Sequence, residues 1–214
     1  MRRLLITIVA ILLPWLSFTQ VIKDLELIGP ENEGYIPVYK NQQWGFINTN
    51  GDLVVDFRKD LFSNKEVTRE TDLGIASQKY PAIYDDRGII RKTINKIPYY
   101  GFIDTTGKVV IEPEFLNVSP FRNGYALALK IEEKFIGRND LLDIKIKSYA
   151  YDVVLIDKNG DVMQYLAGPF PVGVSREKLR TAPKIEAKYL SDDLIGVRTP
   201  EKKWEVIKLD PSGI

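Results

Sequence analysis

From Val21 onward the chain alternates short apolar runs with short polar stretches. Tyr99-Tyr100-Gly101-Phe102-Ile103 and Lys108-Val109-Val110-Ile111 are rich in aromatic and β-branched residues, which is strand composition. Between them stands Asp104-Thr105-Thr106-Gly107. Asp at the first place can cap a type I turn, and Gly at the last can take φ > 0 and rejoin the ladder through a bulge. The pattern predicts a β-hairpin. An earlier line, from Gln43-Trp44-Gly45-Phe46-Ile47 through Asn48-Thr49-Asn50-Gly51 to Phe57, has the same order of residue types.

Two further copies follow the same turn grammar: Val153-Val154-Leu155-Ile156-Asp157-Lys158-Asn159-Gly160 and the stretch from Trp204 to Asp210-Pro211-Ser212-Gly213. The turn glycines Gly51, Gly107, Gly160 and Gly213 are spaced by 56, 53 and 53 residues. Such regularity predicts four repeats of one unit, since one hairpin cannot bury its apolar face alone and stacked copies bury each other's. A third strand is expected upstream of the hairpin, at Glu33–Tyr39, Asn123–Leu129 and Asp193–Val197. Residues 58–97, 131–150 and 164–183 read as variable insertions, the places where specificity over a regular scaffold usually sits. The expected fold is all-β: tandem β-hairpin repeats, either propeller-like or an open stack. In a closed ring, Leu25-Glu26-Leu27-Ile28 would complete the last unit.

These residues resemble the WG-repeat family, whose units carry an EGxAxV block, a KWGYID block and a GKxVIxPxF ending. Glu33-Gly34 through Val38, then Gln43-Trp44-Gly45-Phe46-Ile47, give the first two blocks in order. Gly101-Phe102-Ile103-Asp104, Gly107-Lys108, Val110-Ile111, Pro113 and Phe115 give the rest, and Asn123-Gly124-Tyr125-Ala126 opens the next unit. The third copy departs, with Val153-Val154 for Trp-Gly, and the fourth has Glu205 after Trp204. The resemblance implies an interaction scaffold with no assigned catalysis and no cofactor. Glycine at 45 and 101 would let a neighbouring backbone or ring approach the strand. The aromatics Trp44, Tyr99, Tyr100 and Trp204 read as inter-repeat core ahead of a stacking platform for sugars.

The first nineteen residues change the picture of where this scaffold works. Arg2 and Arg3, an apolar run from Leu4 to Leu16 and small polar residues after it match a secretory signal, with Gln20 as the new N-terminus. The run is shorter than the roughly 20 residues of a spanning helix and contains Pro14. Residues 20–214 are then one exported β-repeat domain, and no later apolar run is long enough to cross a bilayer. With no cysteine in 214 residues, stability rests on packing, and a bacterial periplasm or exterior is the expected location. Removing the leader turns a formal charge of +1 into −1, with no dense basic stripe for nucleic acid.

The chain also has no histidine, so a Ser-His-Asp triad, a thiol nucleophile and a nitrogen–sulfur zinc site are excluded. Phosphate-cradling GxxxxGK[ST] and GxGxxG loops are missing too. Asp157-Lys158-Asn159-Gly160-Asp161 places oxygens at alternate positions but lacks the glycine and glutamate of a calcium loop, so it reads as a turn. Asp104 with Glu112 and Glu114 could be posed as an acid and base for glycoside hydrolysis. The expectation is a binding or adaptor module with no catalytic, cofactor or metal residues, acting on an unidentified protein or polysaccharide of the cell envelope. A carboxylate-dependent hydrolase of polysaccharide or cell wall, and a self-associating structural protein, are the alternatives.

Overall fold

The computed structural model describes residues 22–64, 73–139, 141 and 143–209. The expected signal segment and the last turn, with Gly213, lie outside the described residues. Among the described residues, fourteen strands form four antiparallel sheets, each a simple meander. Sheet 1 holds β1 (Leu27–Ile28), β2 (Tyr35–Lys40), β3 (Gln43–Asn48) and β4 (Leu53–Arg58). Sheet 2 holds β5 (Ile83–Tyr84), β6 (Arg87–Ile94), β7 (Ile97–Ile103) and β8 (Val109–Phe115). In sheet 3 are β9 (Tyr125–Asn139), β10 (Ile144–Asp157) and β11 (Val162–Gly173), and in sheet 4 β12 (Ala187–Tyr189), β13 (Leu194–Arg198) and β14 (Trp204–Lys208). The helical content of the described residues is two short 3-10 turns, Ile75–Ser77 and Glu177–Arg180.

The turn that closes each hairpin is built the same way three times. Asn48 Oδ1 accepts the N–H of Asn50 and Asp52, each at 2.9 Å. Asp104 Oδ1 accepts those of Thr106 and Lys108 at 2.9 and 3.0 Å, and Asp157 Oδ1 those of Asn159 and Asp161 at 2.9 Å. The fourth residue is left-handed in each, with φ of +87° at Gly51, +86° at Gly107 and +91° at Gly160, which is why glycine recurs there. The register then slips by one residue, pairing Ile47 with Leu53, Ile103 with Val109 and Ile156 with Val162. This is the bulge that the turn grammar requires.

Period-two alternation decides which face each residue serves. In sheet 2, Ile90 and Ile103 enter a core shared with Trp44, Phe46 and Val55 of sheet 1, while Ile89, Tyr100, Phe102 and Ile111 enter a core shared with sheet 3. In sheet 3, Ala126, Ala128, Val154 and Ile156 join that second core. Leu127, Leu129, Val153 and Leu155 join a third with Ile195 and Val197 of sheet 4. Three cores thus lie between four sheets, and among the described residues no core cluster joins sheet 1 to sheet 4. The arrangement is an open stack. Leu27 and Ile28 pair with Tyr39 and Val38 of their own sheet, so the expected closure of a ring through this segment is not made.

Successive units also clasp one another at their turns. Glu33 Oε2 accepts the N–H of Asp85 at 2.7 Å, and Asp85 Oδ2 accepts that of Gly124. Lys158 Nζ sits 2.7 Å from Asp85 and 3.3 Å from Asp86, and Arg122 pairs with Asp192 at 2.5 Å.

Three stretches read as insertions each contain strand. Residues 83–94 are β5 and β6, the opening strands of the second unit, so the connection between sheets 1 and 2 runs only from residue 59 to 82. Asp85-Asp86, with φ of 51° and 63°, makes the two-residue turn that Glu33-Gly34 makes in the first unit. Residues 131–150 lengthen β9 and β10 into a hairpin that runs on past Tyr149, where β11 ends, exposing Phe135, Ile136 and Leu141. Residues 164–183 contain most of β11 and the second 3-10 turn.

Candidate functional site

The motif aromatics divide by position in the stack. Trp44 and Tyr100 are buried, at 8% and 3% exposure, each filling the core ahead of its sheet. Trp44 packs at 4.9 Å from Tyr39 and 6.0 Å from Tyr80, and its Nε1 donates to Ser63 Oγ at 3.2 Å. Tyr99 is partly buried against the third core. Trp204 is 54% exposed, with Lys188 Nζ 5.1 Å from its ring centre.

The glycine after the aromatic answers to the facing strand. A Cβ on Gly45 would lie 2.9 Å from the Val55 carbonyl oxygen. On Gly101 it would lie 2.7 Å from Glu112 C and Pro113 N, and closer still to the Ile111 oxygen. In both sheets the facing strand bulges, since Trp44 and Phe46 pair with Arg58 and Val55, and Tyr100 and Phe102 with Phe115 and Ile111. The bulge drives backbone onto the glycine. In the third unit the register slips here as well, Val153 pairing with Ala167 and Val154 with Tyr165, yet a valine stands in the glycine's place. The close approach has moved to Gly168, where a Cβ would run into the Asp152 carboxylate.

The carboxylates singled out for acid–base chemistry are placed apart in role. Asp104 Oδ1 takes hydrogen bonds from Thr106 N, Thr106 Oγ1 and Lys108 N. Burial works against its ionisation, but those bonds and nearby Arg87 prevail and hold its carboxyl below the usual range. Glu112 and Glu114 are exposed in the β8 bulge. The oxygens of Asp157 are likewise engaged within their own turn, Oδ2 taking Asn159 Nδ2 at 3.1 Å.

Three further surface features bear on function. The outer face of sheet 4 carries Trp204, Val206 and Leu190, with Val206 64% exposed. A cleft of 490 Å³ lies where the unit-opening turns converge, lined by Glu33, Tyr84, Asp85, Phe121, Arg122 and Tyr189 among others. A second cleft, of 810 Å³, is walled by the connection before sheet 2, by the β6–β7 hairpin and by the connection after β11. Its charged lining is Arg91, Lys96, Arg180 and Lys184. Phe62 and Tyr100 form its aromatic floor, edge to face at 5.4 Å. Burial pushes the Tyr100 hydroxyl up to about 12 against the opposing pull of Arg91. The four cations are scattered from residue 91 to 184 with no shared motif or period, so no sequence signal groups them.

The family model described as WG containing repeat matches residues 44–58 and 100–134, and WG-type repeat sequence is present at both places. The matches begin at Trp44 and Tyr100, the two aromatics buried between sheets. The third and fourth units lie largely outside them. No curated protein and no solved structure matches the chain.

Proposed function

We propose that this chain is an exported, non-catalytic binding or adaptor module of the cell envelope, carrying its contacts on a WG-type β-repeat scaffold. The observation that supports this reading is the outer face of sheet 4. Within the stack the corresponding aromatics, Trp44 and Tyr100, are covered by the next sheet, whereas Trp204, Val206 and Leu190 stand exposed together. Exposed apolar groups gathered on one face mark interaction surfaces, and tryptophan is a frequent anchor in them. The signal-like first nineteen residues supply the export part of the reading.

The test is capture on the chain beginning at Gln20 from solubilised envelope, identification of the bound species, and rebinding of the purified species to the protein and to Trp204→Ala. A discrete partner that rebinds and loses at least tenfold affinity with Trp204→Ala supports the reading. Turnover of a glycan by the protein, abolished by Asp104→Asn with Glu112→Gln, would replace it with the hydrolase.

A second reading has its own observation. The face of sheet 1 turned away from the first core carries half-buried Ile36, Ile47 and Leu53 beside the fully buried Val38, an apolar surface on which a second sheet could pack. Sheet 4 of one copy laid on sheet 1 of another is a head-to-tail contact that does not close, and it would build fibres rather than dimers. Concentration-dependent growth in light scattering, lost with Trp204→Ala, is its signature.

A further inference from the structure

The 810 Å³ cleft departs from the charge pattern of the chain that builds it. Lys and Arg number 30 and Asp and Glu 29, yet among the described residues the charged lining is entirely cationic. Some cations elsewhere are paired, Arg58 with Asp60 at 2.6 Å and Lys158 with Asp85 at 2.7 Å. Among the described residues no carboxylate lies within 4 Å of Arg91, Lys96 or Lys184, and only Arg180 has a partner, Glu177 at 2.9 Å. Like charges gathered in a concavity repel one another and focus a positive potential, and an anionic occupant relieves that cost.

The walls are held before any ligand arrives. Asn117, buried behind the cleft, accepts the Ile75 N–H at 3.1 Å and donates to the Pro183 carbonyl at 2.7 Å, tying two distant connections together. The Arg91 guanidinium lies over the Phe62 ring, 5.8 Å from its centre. Thr93 and Thr181 add hydroxyls, and Ile75, Ala76 and Ala182 add small apolar patches.

We propose that this cleft binds an acidic oligosaccharide, a chain of sugars bearing carboxylate groups. Four cations are more than one small anion engages, and the volume falls in the range of sites that enclose an extended organic ligand. Carboxylates spaced along the chain match the cations, ring hydroxyls match the two threonines, and the apolar faces of the rings match the alanine and isoleucine patches. An acidic peptide would satisfy the charges but bring few hydroxyls to Thr93 and Thr181. Of the four cations only Lys184 comes near Trp204, with which it also lines a smaller cleft.

Calorimetric titration of the protein with tetragalacturonate tests the assignment, with its methyl ester, a tetraglutamate peptide and inorganic phosphate as competitors. The acidic tetrasaccharide is expected to bind, and the ester at least tenfold more weakly. Arg91→Gln with Lys96→Gln and Lys184→Gln should lose at least tenfold. Trp204→Ala, and Lys130→Gln with Lys134→Gln on the β9 hairpin, should leave binding unchanged. If the triple variant does not fold, the pair Lys96→Gln and Lys184→Gln, both exposed, carries the comparison. Equal affinity for the ester, equal affinity of the cleft variants, tighter binding of tetraglutamate, full displacement by equimolar phosphate, or no binding of the tetrasaccharide would each overturn the assignment. None of these touches capture through Trp204.

Discussion

Gly160 sits against Ile111, so that a Cβ on it would lie 3.1 Å from Ile111 Cγ2. Gly107 meets Val55 of the preceding unit at the same 3.1 Å. The turn glycine thus does two things: it supplies a left-handed residue, and it lets one unit's turn rest on the previous unit's strand. Gly51 separates the two, because nothing lies within 4 Å of its missing Cβ. Gly51→Ala should cost only the left-handed strain, about 1 kcal/mol, and Gly160→Ala about 2 kcal/mol or more. Urea denaturation of the two variants reads the difference directly.

Acid should weaken the second hairpin through Asp104. Its folded carboxyl ionises more readily than an unfolded one, so its contribution is present above the ordinary value near pH 4 and is lost as pH falls through the lower folded value. Asp104→Asn keeps an oxygen for the turn, as Asn48 does in the first unit. The variant's denaturation midpoint should therefore fall less than wild type's between pH 5 and pH 2. An identical fall would mean that Asp104 carries none of the acid sensitivity.

Asp152 runs the other way. Burial pushes its carboxyl up, Glu132 adds to the shift, and Lys130 opposes it. A raised carboxyl favours folding most below the ordinary value, and that advantage is lost as pH rises through the folded value. Asp152→Asn should consequently be the more stable protein at pH 7 and should lose its advantage at pH 3, in thermal melts at both values. Glu132→Gln should reproduce part of the gain.

The two tryptophans at opposite ends of the stack should respond oppositely to truncation. Trp44→Ala empties a packed core and should cost about 3–5 kcal/mol. Trp204→Ala removes a ring that is 54% exposed and should cost under about 1 kcal/mol. If Trp204→Ala melts as early as Trp44→Ala, its ring is part of a core and the interaction face is elsewhere.

The hairpin turns were legible because two side-chain requirements coincide within four residues. Asp104 must cap and Gly107 must turn left-handed, and neither depends on the rest of the fold. The opening strand of the second unit was hidden because Asp85-Asp86 replaces Glu-Gly, and because exposed Arg91, Lys92 and Lys96 make a strand pair look like a charged loop. Why Val154 can replace a motif glycine could not be read from its own neighbourhood. The register slips beside it too, between Val153 and Val154, so strand pairing alone does not explain the exchange. The basic cleft was illegible because its cations are brought together only by the stacking of connections.

Because the three cores follow one another along the stack, the third reaching back to Ile97 of sheet 2, and none among the described residues joins the first sheet to the last, the protein has ends, and its cooperativity has a direction. Sheets 2 and 3 are held on both faces, sheets 1 and 4 on one. Amide protons of β7 and β10 should outlast those of β2 and β13 in exchange, fraying inward from both termini as in other repeat arrays. The length of such a molecule is not fixed by geometry. Duplicating a unit in the gene would add one sheet and one core without disturbing those already there, whereas a closed ring would have to break and re-form around the newcomer.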